Sequence, residues 1–162
     1  MRLGIIADTH GLLRPEVFSV FQEVDRIFHA GDIGSLDILS DLEAVAPVTA
    51  VYGNTDGFPL RDRLAAVVEV EVDGFRIVLT HGDAFGVPTA GKLNQAYPEA
   101  EVILFGHTHR PLLTIVDTVV TVMNPGAAGP RRFDLQPSVG IMELEAGIPP
   151  RARIVPLTAA AG

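Results

Sequence analysis

Short apolar runs alternate with helix-spaced segments in the first third of the chain. Residues 2–7, 25–30 and 48–52 are apolar runs typical of buried strands. Between them, residues 15–24 place apolar side chains on one helical face, and residues 35–46 repeat Leu or Val at three-residue steps behind a serine cap. The order strand, helix, strand, helix, strand predicts parallel βαβ units.

The pattern then changes to strands joined by hairpins. Residues 68–72 read V-E-V-E-V, which predicts a strand with one wet face, and Asp73-Gly74 predicts a turn into a return strand at 75–80. The other predicted elements are a helix at 89–97 and strands at 102–105, 112–116, 119–123, 139–144 and 153–157, the last two joined around Gly147 and Pro149-Pro150. We therefore predict an α/β fold in which two mixed β-sheets pack face to face, flanked by helices.

Length and composition favour one folded domain. The chain has 162 residues, of which 48% are hydrophobic and 20% charged, and this excludes a disordered protein. We expect a single domain over residues 1–158 and a frayed tail at 159–162.

The net charge and the N-terminal sequence limit the binding partners and the cellular location that we expect. A net charge of −8 disfavours general nucleic-acid binding. The first apolar run stops at Asp8, too early for a signal peptide, and no window is apolar enough for a membrane span, so a cytoplasmic protein is expected. The strand at 68–72 is a candidate edge for a homodimer.

Polar side chains with chemical potential lie where predicted strands end, each beside a glycine. Because ligands bind outside the carboxyl ends of parallel strands, we expect these side chains to share one rim. They are Asp8, His10, Asp32, Asn54, His81, His107 and His109.

This set suits metal ions. The chain has no cysteine, so any metal must be held by His, Asp, Glu or Asn. Seven candidate ligands exceed the needs of one zinc ion and match two ions that share a carboxylate. Oxygen ligands mixed with imidazole suit Mn, Fe, Co, Ni or Zn rather than Ca or Cu(I). Side chains at i and i+2 of an extended segment point the same way, so D-x-H and H-x-H can each face one ion.

Other interpretations of single motifs stay open. Taken alone, the G-D and G-N-x-D segments are typical of turns or helix caps. His29 lies inside a predicted strand and is interpreted as a buried or supporting histidine rather than a ligand. Asp56 and Asp83 are candidates either for orienting the ligands or for turns.

The ordered set D-x-H, G-D, G-N-x-D, H-G and G-H-T-H resembles the calcineurin-like metallophosphoesterase superfamily over roughly residues 3–130. The short length and the GHTHRP and NPGA stretches are similar to its small YfcE-type phosphodiesterase branch. The resemblance implies a β-sandwich flanked by helices and a binuclear metal centre. It implies hydrolysis of a small phosphate ester by a metal-activated hydroxide.

Residue roles follow from this resemblance. It implies that Asp8, His10 and His109 hold a first divalent ion, that Asn54, His81 and His107 hold a second, and that Asp32 bridges them. It also marks Asp32, Asn54 and His81 as catalytic, with manganese as the first choice among the metals and Fe, Ni, Co or Zn as alternatives. Two divalent ions beside two carboxylates would make the site positive and able to attract phosphate locally.

One position departs from the broader superfamily. Many members have G-N-H at the third motif, where the histidine assists the leaving group, whereas this chain has Thr55. A threonine cannot act as a general acid near neutral pH, so phosphodiesters or esters with good leaving groups fit better than alkyl monoesters. Candidate phosphate contacts are Arg110, Arg131 and Arg132, each of which is alternatively a solvated surface residue.

Three other functions remain as alternatives. One is a catalytically weak or inactive scaffold of the same fold that binds proteins, as the related retromer subunit does. Another is a phosphomonoesterase, and a third is a protein phosphatase. The complete set of seven competent ligands favours an enzyme over the scaffold, and the small size of the chain disfavours a protein phosphatase.

Overall fold

A computed structural model describes residues 1–158, so the predicted frayed tail at 159–162 lies outside the described residues. Ten strands and four helices follow one another along the chain. The strands are β1 (Arg2–Ile6), β2 (Arg26–His29), β3 (Val48–Ala50), β4 (Val67–Val72), β5 (Phe75–Thr80), β6 (Val102–Leu104), β7 (Leu112–Val116), β8 (Val120–Asn124), β9 (Ser138–Glu145) and β10 (Ile148–Pro156). The helices are α1 (Pro15–Val20), α2 (Leu36–Glu43), α3 (Leu60–Arg63) and α4 (Ala90–Ala96), with a 3₁₀ turn at Asp83–Phe85.

The strands form two mixed sheets of five. The first has the order β10-β9-β1-β2-β3, with β1, β2 and β3 parallel and β9 and β10 antiparallel to their neighbours. The second has the order β4-β5-β6-β8-β7, with a parallel centre and a hairpin at each edge. The predicted two-sheet α/β fold is confirmed, and β4 does lie at a sheet edge.

Strand alternation builds three apolar layers. Ile5 and Phe28 of the first sheet pack between the sheets with Leu79 and Leu104 of the second. Side chains one position along the strands point outward instead, and Ile6 packs in a layer with residues of α1 and α2. Ile103 packs similarly in a layer that includes Leu93 of α4. Among residues 1–158, no helix has the length and apolar character needed to cross a lipid bilayer.

Several predicted boundaries need correction. The helix predicted at 15–24 ends at Val20. The Phe21 N–H still donates to Val17 O, but the residues that follow form turns, in which Phe21 and Val24 stay buried. The helix predicted to reach residue 46 ends at Glu43. Pro149 and Pro150 belong to β10 rather than to a turn. This is possible because β10 is an edge strand, and its register is irregular there.

Candidate metal centre

The structure brings all seven predicted site residues to one rim of the sandwich. The loops after β1, β2 and β3 of the first sheet and after β5 and β6 of the second meet at this rim, because their strands run in parallel within each sheet. The first sheet contributes Asp8, His10, Asp32 and Asn54, and the second contributes His81, His107 and His109.

One cluster in the site is formed by Asp8, His10 and His109. The Nε2 atoms of His10 and His109 lie 3.3 Å apart. Asp8 Oδ1 is 3.4 Å from His109 Nε2 and 3.9 Å from His10 Nε2. One ligand atom from each residue therefore falls within the span that a single cation can bridge.

A second cluster surrounds the His81 ring. His81 Nε2 lies 3.2 Å from Asp32 Oδ2 and 3.0 Å from Asn54 Oδ1. The His107 ring packs edge-on against it with centroids 5.1 Å apart. Asp32 Oδ2 is also 3.8 Å from His10 Nε2, so this one oxygen faces both clusters.

Hydrogen bonding fixes which nitrogen of His81 points into the site. His81 Nδ1 lies 2.8 Å from the carbonyl oxygen of Ala30, which can only accept, so Nδ1 carries the proton and donates. Nε2 then directs a lone pair at the oxygens of Asp32 and Asn54. Such backbone-oriented imidazoles are typical of metal ligands.

The donor set fits divalent metal ions. Around His81 Nε2, acceptor atoms face acceptor atoms at 3.0–3.2 Å, which is favourable only with a proton or a cation between them. Asp8 Oδ1 is buried and has no hydrogen-bond partner among residues 1–158. A buried carboxylate oxygen of this kind is costly without a cation.

Burial and neighbouring charges shift the pKa values of three groups in the site. Burial favours the neutral His81 ring, but its hydrogen bond to Asp32 and the charges of Asp8 and Asp32 outweigh burial and raise the pKa of His81. Burial likewise opposes ionisation of Asp32, yet the His81 ring and the Thr55 amide hold the pKa of Asp32 well below its usual range. For His10, burial lowers the pKa, and the nearby carboxylates offset only part of that effect. The carboxylate of Asp32 is thus ready to bind a cation.

Five of the seven residues have left-handed backbone conformations. The φ angles lie between 45° and 72° at Asp8, His10, Asp32, His107 and His109. Each such conformation costs a non-glycine residue about 1–3 kcal/mol and persists only where the surrounding structure imposes it. Concentration of this strain in one set of loops is typical of a functional site.

Two glycines allow the close approach of the loops. A Cβ on Gly53 would lie 2.1 Å from Asp32 Oδ1, and one on Gly31, whose φ is +97°, would lie 2.7 Å from the His81 ring. A side chain at either position would displace a residue of the site.

His29 supports the loops of the site without entering it. His29 Nδ1 accepts from Gly31 N at 3.2 Å, and its Nε2 lies 3.0 Å from Thr9 Oγ1, which donates to Ile33 O. His29 is fully buried, as its interpretation as a supporting residue requires.

Asp56 acts as a buried cap. Its carboxylate accepts from the backbone N–H groups of Ile33, Gly34 and Gly53 at 2.9–3.1 Å, which ties the second loop to the third. Asp83, by contrast, is exposed at the start of the 3₁₀ turn, as the turn interpretation expected.

Sequence reasoning missed Asn124, which holds the loop after β6 in place. Its buried Nδ2 donates to Gly106 O and Thr108 Oγ1, both at 3.0 Å, and its Oδ1 accepts from Gly126 N at 2.9 Å. The N-P-G triplet was a signal for a turn, but its partners lie too far along the sequence to be identified from it.

The three candidate phosphate contacts are all exposed. Arg110 follows His109 directly, and Arg131 and Arg132 lie in the loop between β8 and β9. Arg132 is close enough to His10 for its charge to contribute to the lowered pKa of that ring.

Comparison with known proteins identifies the family to which the chain belongs. A family model described as the calcineurin-like phosphoesterase superfamily domain matches residues 1–147. The two-sheet fold is thus that of a phosphoesterase class. The chain belongs to the calcineurin-like phosphoesterase superfamily, which confirms the resemblance drawn from its motifs.

Individual relatives agree with that assignment. The chain is 38% identical over 157 residues to a probable metallophosphoesterase of Methanothermobacter thermautotrophicus, covering 90% of this chain and 87% of the relative. It is 30% identical over 162 residues to a phosphodiesterase of Methanocaldococcus jannaschii, covering 90% and 94%. Family membership supports a phosphoesterase hydrolase.

Solved structures share the fold. An archaeal phosphodiesterase superposes with a TM-score of 0.75 at 28% identity, covering 96% of this chain and all of the other. Vacuolar protein sorting 29 from Cryptosporidium parvum superposes with a TM-score of 0.80 at 18% identity, covering 95% and 96%. At that identity the second likeness shows the fold alone.

Proposed function

We propose that this protein is a phosphodiesterase that uses two divalent metal ions, with manganese as the first candidate. The observation that carries the proposal is the convergence of two buried carboxylates and four imidazoles at one rim, with acceptor atoms facing one another. The phosphodiesterase names of two similar proteins support the same reaction class.

The proposed ligand sets follow the two observed clusters. Asp8, His10 and His109 would hold one ion. Asn54, His81 and His107 would hold the other, and Asp32 would serve both, since its Oδ2 faces His10 and His81. Ions bound there would activate a water and offset charge on the phosphoryl oxygens.

The chain's own groups account for the rest of the reaction. Ala30 keeps His81 in one tautomer, and the Thr55 amide fixes Asp32 Oδ1 at 3.0 Å. In the net reaction, the oxygen of water forms a bond to phosphorus, the bond to the leaving oxygen breaks, and the water proton passes to solvent or to the leaving group. Thr55 offers no general acid near neutral pH, so leaving groups that depart as stable anions are preferred.

A scaffold that binds other proteins is the second candidate, and the fold of vacuolar protein sorting 29 is compatible with it. All seven candidate ligands are retained, five of them with left-handed backbone and four of them buried, and this favours the enzyme over the scaffold.

The test is metal-dependent turnover. After chelation and addition of Mn²⁺, we expect hydrolysis of bis(4-nitrophenyl) phosphate and a lower kcat/KM for 4-nitrophenyl phosphate. Asp32→Ala should lower bound metal and reduce kcat/KM about 100-fold or more, because several kcal/mol of charge stabilisation is removed. Absence of turnover of both esters would exclude the enzyme, and a preference for the monoester would indicate a phosphomonoesterase.

A further inference from the structure

The loop between β8 and β9, residues 125–137, is here called the rim loop. Its base is fixed to the first loop of the metal site. Ala128 N donates to Ala7 O at 3.0 Å and Gly129 N to Asp8 O at 3.2 Å. Arg14 Nε donates to Gly129 O at 3.0 Å. The rim loop therefore has a defined position relative to Asp8.

The tip of the rim loop presents an aromatic ring. Phe133 is 71% exposed, and its ring centroid lies 6.3 Å from that of His109 at an interplanar angle of 66°. Phe133 and Asp134 both have a φ of 55°, in a turn closed by Leu135 N donating to Arg132 O at 3.0 Å. The turn at Asp117-Thr118 also has two consecutive left-handed residues, and the turn of the rim loop holds its exposed ring beside His109.

The residue that precedes Phe133 in the rim loop carries a positive charge. Arg132 precedes Phe133 and is near enough to His10 to affect that ring electrostatically. The tip therefore offers an apolar ring beside His109 and a guanidinium within electrostatic range of His10. These two groups match the two parts of an aryl phosphate ester, since guanidinium pairs with phosphoryl oxygens and aromatic rings pack on one another.

Building on the proposed phosphodiesterase function, we propose that Phe133 determines specificity by packing against an aromatic substituent of the diester, while Arg132 contacts its phosphate. The substrate class is thus a phosphodiester in which the group that stays on phosphorus carries a flat, apolar ring. Hydrolysis of such a diester yields the aryl monoester and releases the other substituent.

Two substrates that share the same leaving group isolate the proposed contact between Phe133 and the aromatic substituent. Phenyl 4-nitrophenyl phosphate and methyl 4-nitrophenyl phosphate both release 4-nitrophenolate and differ in the group that remains. The wild-type, Mn²⁺-loaded protein should show a higher kcat/KM for the phenyl diester. Phe133→Ala should reduce that phenyl-to-methyl ratio about 3- to 10-fold, and Phe133→Tyr should restore it.

Matched variants separate the two roles. Arg132→Ala should lower kcat/KM for both diesters by a similar factor, because the phosphate is common to them. Phe18→Ala removes another exposed phenylalanine, on α1, outside the seven-residue site, and should leave the ratio unchanged. Phe133→Leu, which keeps apolar bulk without the ring, should give an intermediate ratio and provides a second variant if Phe133→Ala folds poorly.

Binding gives a readout independent of turnover. Calorimetric titration of the Mn²⁺-loaded protein with diphenyl phosphate and with dimethyl phosphate should show the same dependence on Phe133. Wild-type turnover of both nitrophenyl diesters with ratios that do not change in the Phe133 variants would overturn this inference and leave the proposed function standing. No metal-dependent turnover of either diester would overturn the proposed function and the inference with it.

Discussion

His29 illustrates how a buried residue can support the candidate metal site without contributing a ligand atom to it. Both ring nitrogens are satisfied in the neutral form, because Nδ1 accepts from Gly31 and Nε2 donates to Thr9. A second proton on Nδ1 would face the N–H of Gly31. Burial, together with the nearby His81, lowers the pKa of His29 to about 3.

This pKa predicts acid sensitivity. As pH falls below 6.5, the unfolded chain takes up a proton that folded His29 does not accept until about pH 3. The free energy of unfolding should therefore fall across that window by up to about 1.4 kcal/mol per pH unit. His29→Ala should lower stability at neutral pH by about 3 kcal/mol and make this pH dependence shallower.

Urea unfolding of the chelated protein between about pH 4 and pH 8 measures both effects. Equal slopes for wild type and His29→Ala would contradict the neutral, buried assignment. Loss of activity in a folded, metal-loaded His29→Ala protein would contradict its role as a support.

In the metal-free protein, the pKa of His81 is shifted in the direction opposite to that of His29. Below its raised pKa the ring carries a second proton, on Nε2, which a metal must displace. Mn²⁺ affinity should therefore increase with pH through this titration and then level off. Calorimetry in buffers of different ionisation enthalpy should show more protons released per bound ion near about pH 6 than near about pH 9. Equal proton release at both pH values would argue that Nε2 is not a ligand.

At the scale of loops and strands, Asp56 joins the loops after β2 and β3. Its carboxylate accepts three hydrogen bonds, all from backbone N–H groups. Asp56→Ala should cost about 3 kcal/mol of stability, because buried donors lose their partner. It should also weaken Mn²⁺ binding, since Asp32 and Asn54 lie on these two loops. Asp62→Ala, which removes an exposed carboxylate of α3, is the matched control and should change neither quantity in urea unfolding and metal titration.

The elements show what the sequence could and could not predict. Apolar runs and alternation located the strands and the five loops that carry Asp8 through His109, because buried strands and strand-end glycines are local signals. The helix α3 at Leu60–Arg63 was not among the predicted elements, since a four-residue helix has too little periodicity to detect. The hydrogen bonds of Asp56 and Asn124 join segments distant in sequence, so only the fold reveals them.

The whole molecule is organised so that the candidate site lies across both sheets. Four of its residues come from the first sheet and three from the second. Metal ions bound there would link the two sheets as well as the loops. Two statements about the whole molecule remain predictions. One is that residues 1–158 form a single domain, and the other is that β4 forms a homodimer contact.

This placement predicts that metal stabilises the entire fold. At a free Mn²⁺ concentration about 100-fold above Kd, binding should add about 2.7 kcal/mol to the free energy of unfolding. Thermal unfolding with Mn²⁺ and with chelator measures the shift in Tm, and the shift should be largely lost in Asp32→Ala. An unchanged Tm in wild-type protein shown to be metal-loaded would contradict the link between the sheets.

The turn at Asp73-Gly74 divides the chain into two pieces, each of which carries only part of the candidate ligand set. The piece before it carries Asp8, His10, Asp32 and Asn54, and the piece after it carries the three remaining histidines. Neither piece has a full set of ligands, and β9 of the later piece must pair with β1 of the earlier one. We therefore expect each half alone to be inactive, and the proposed hydrolysis would report that two separately produced halves have met and assembled.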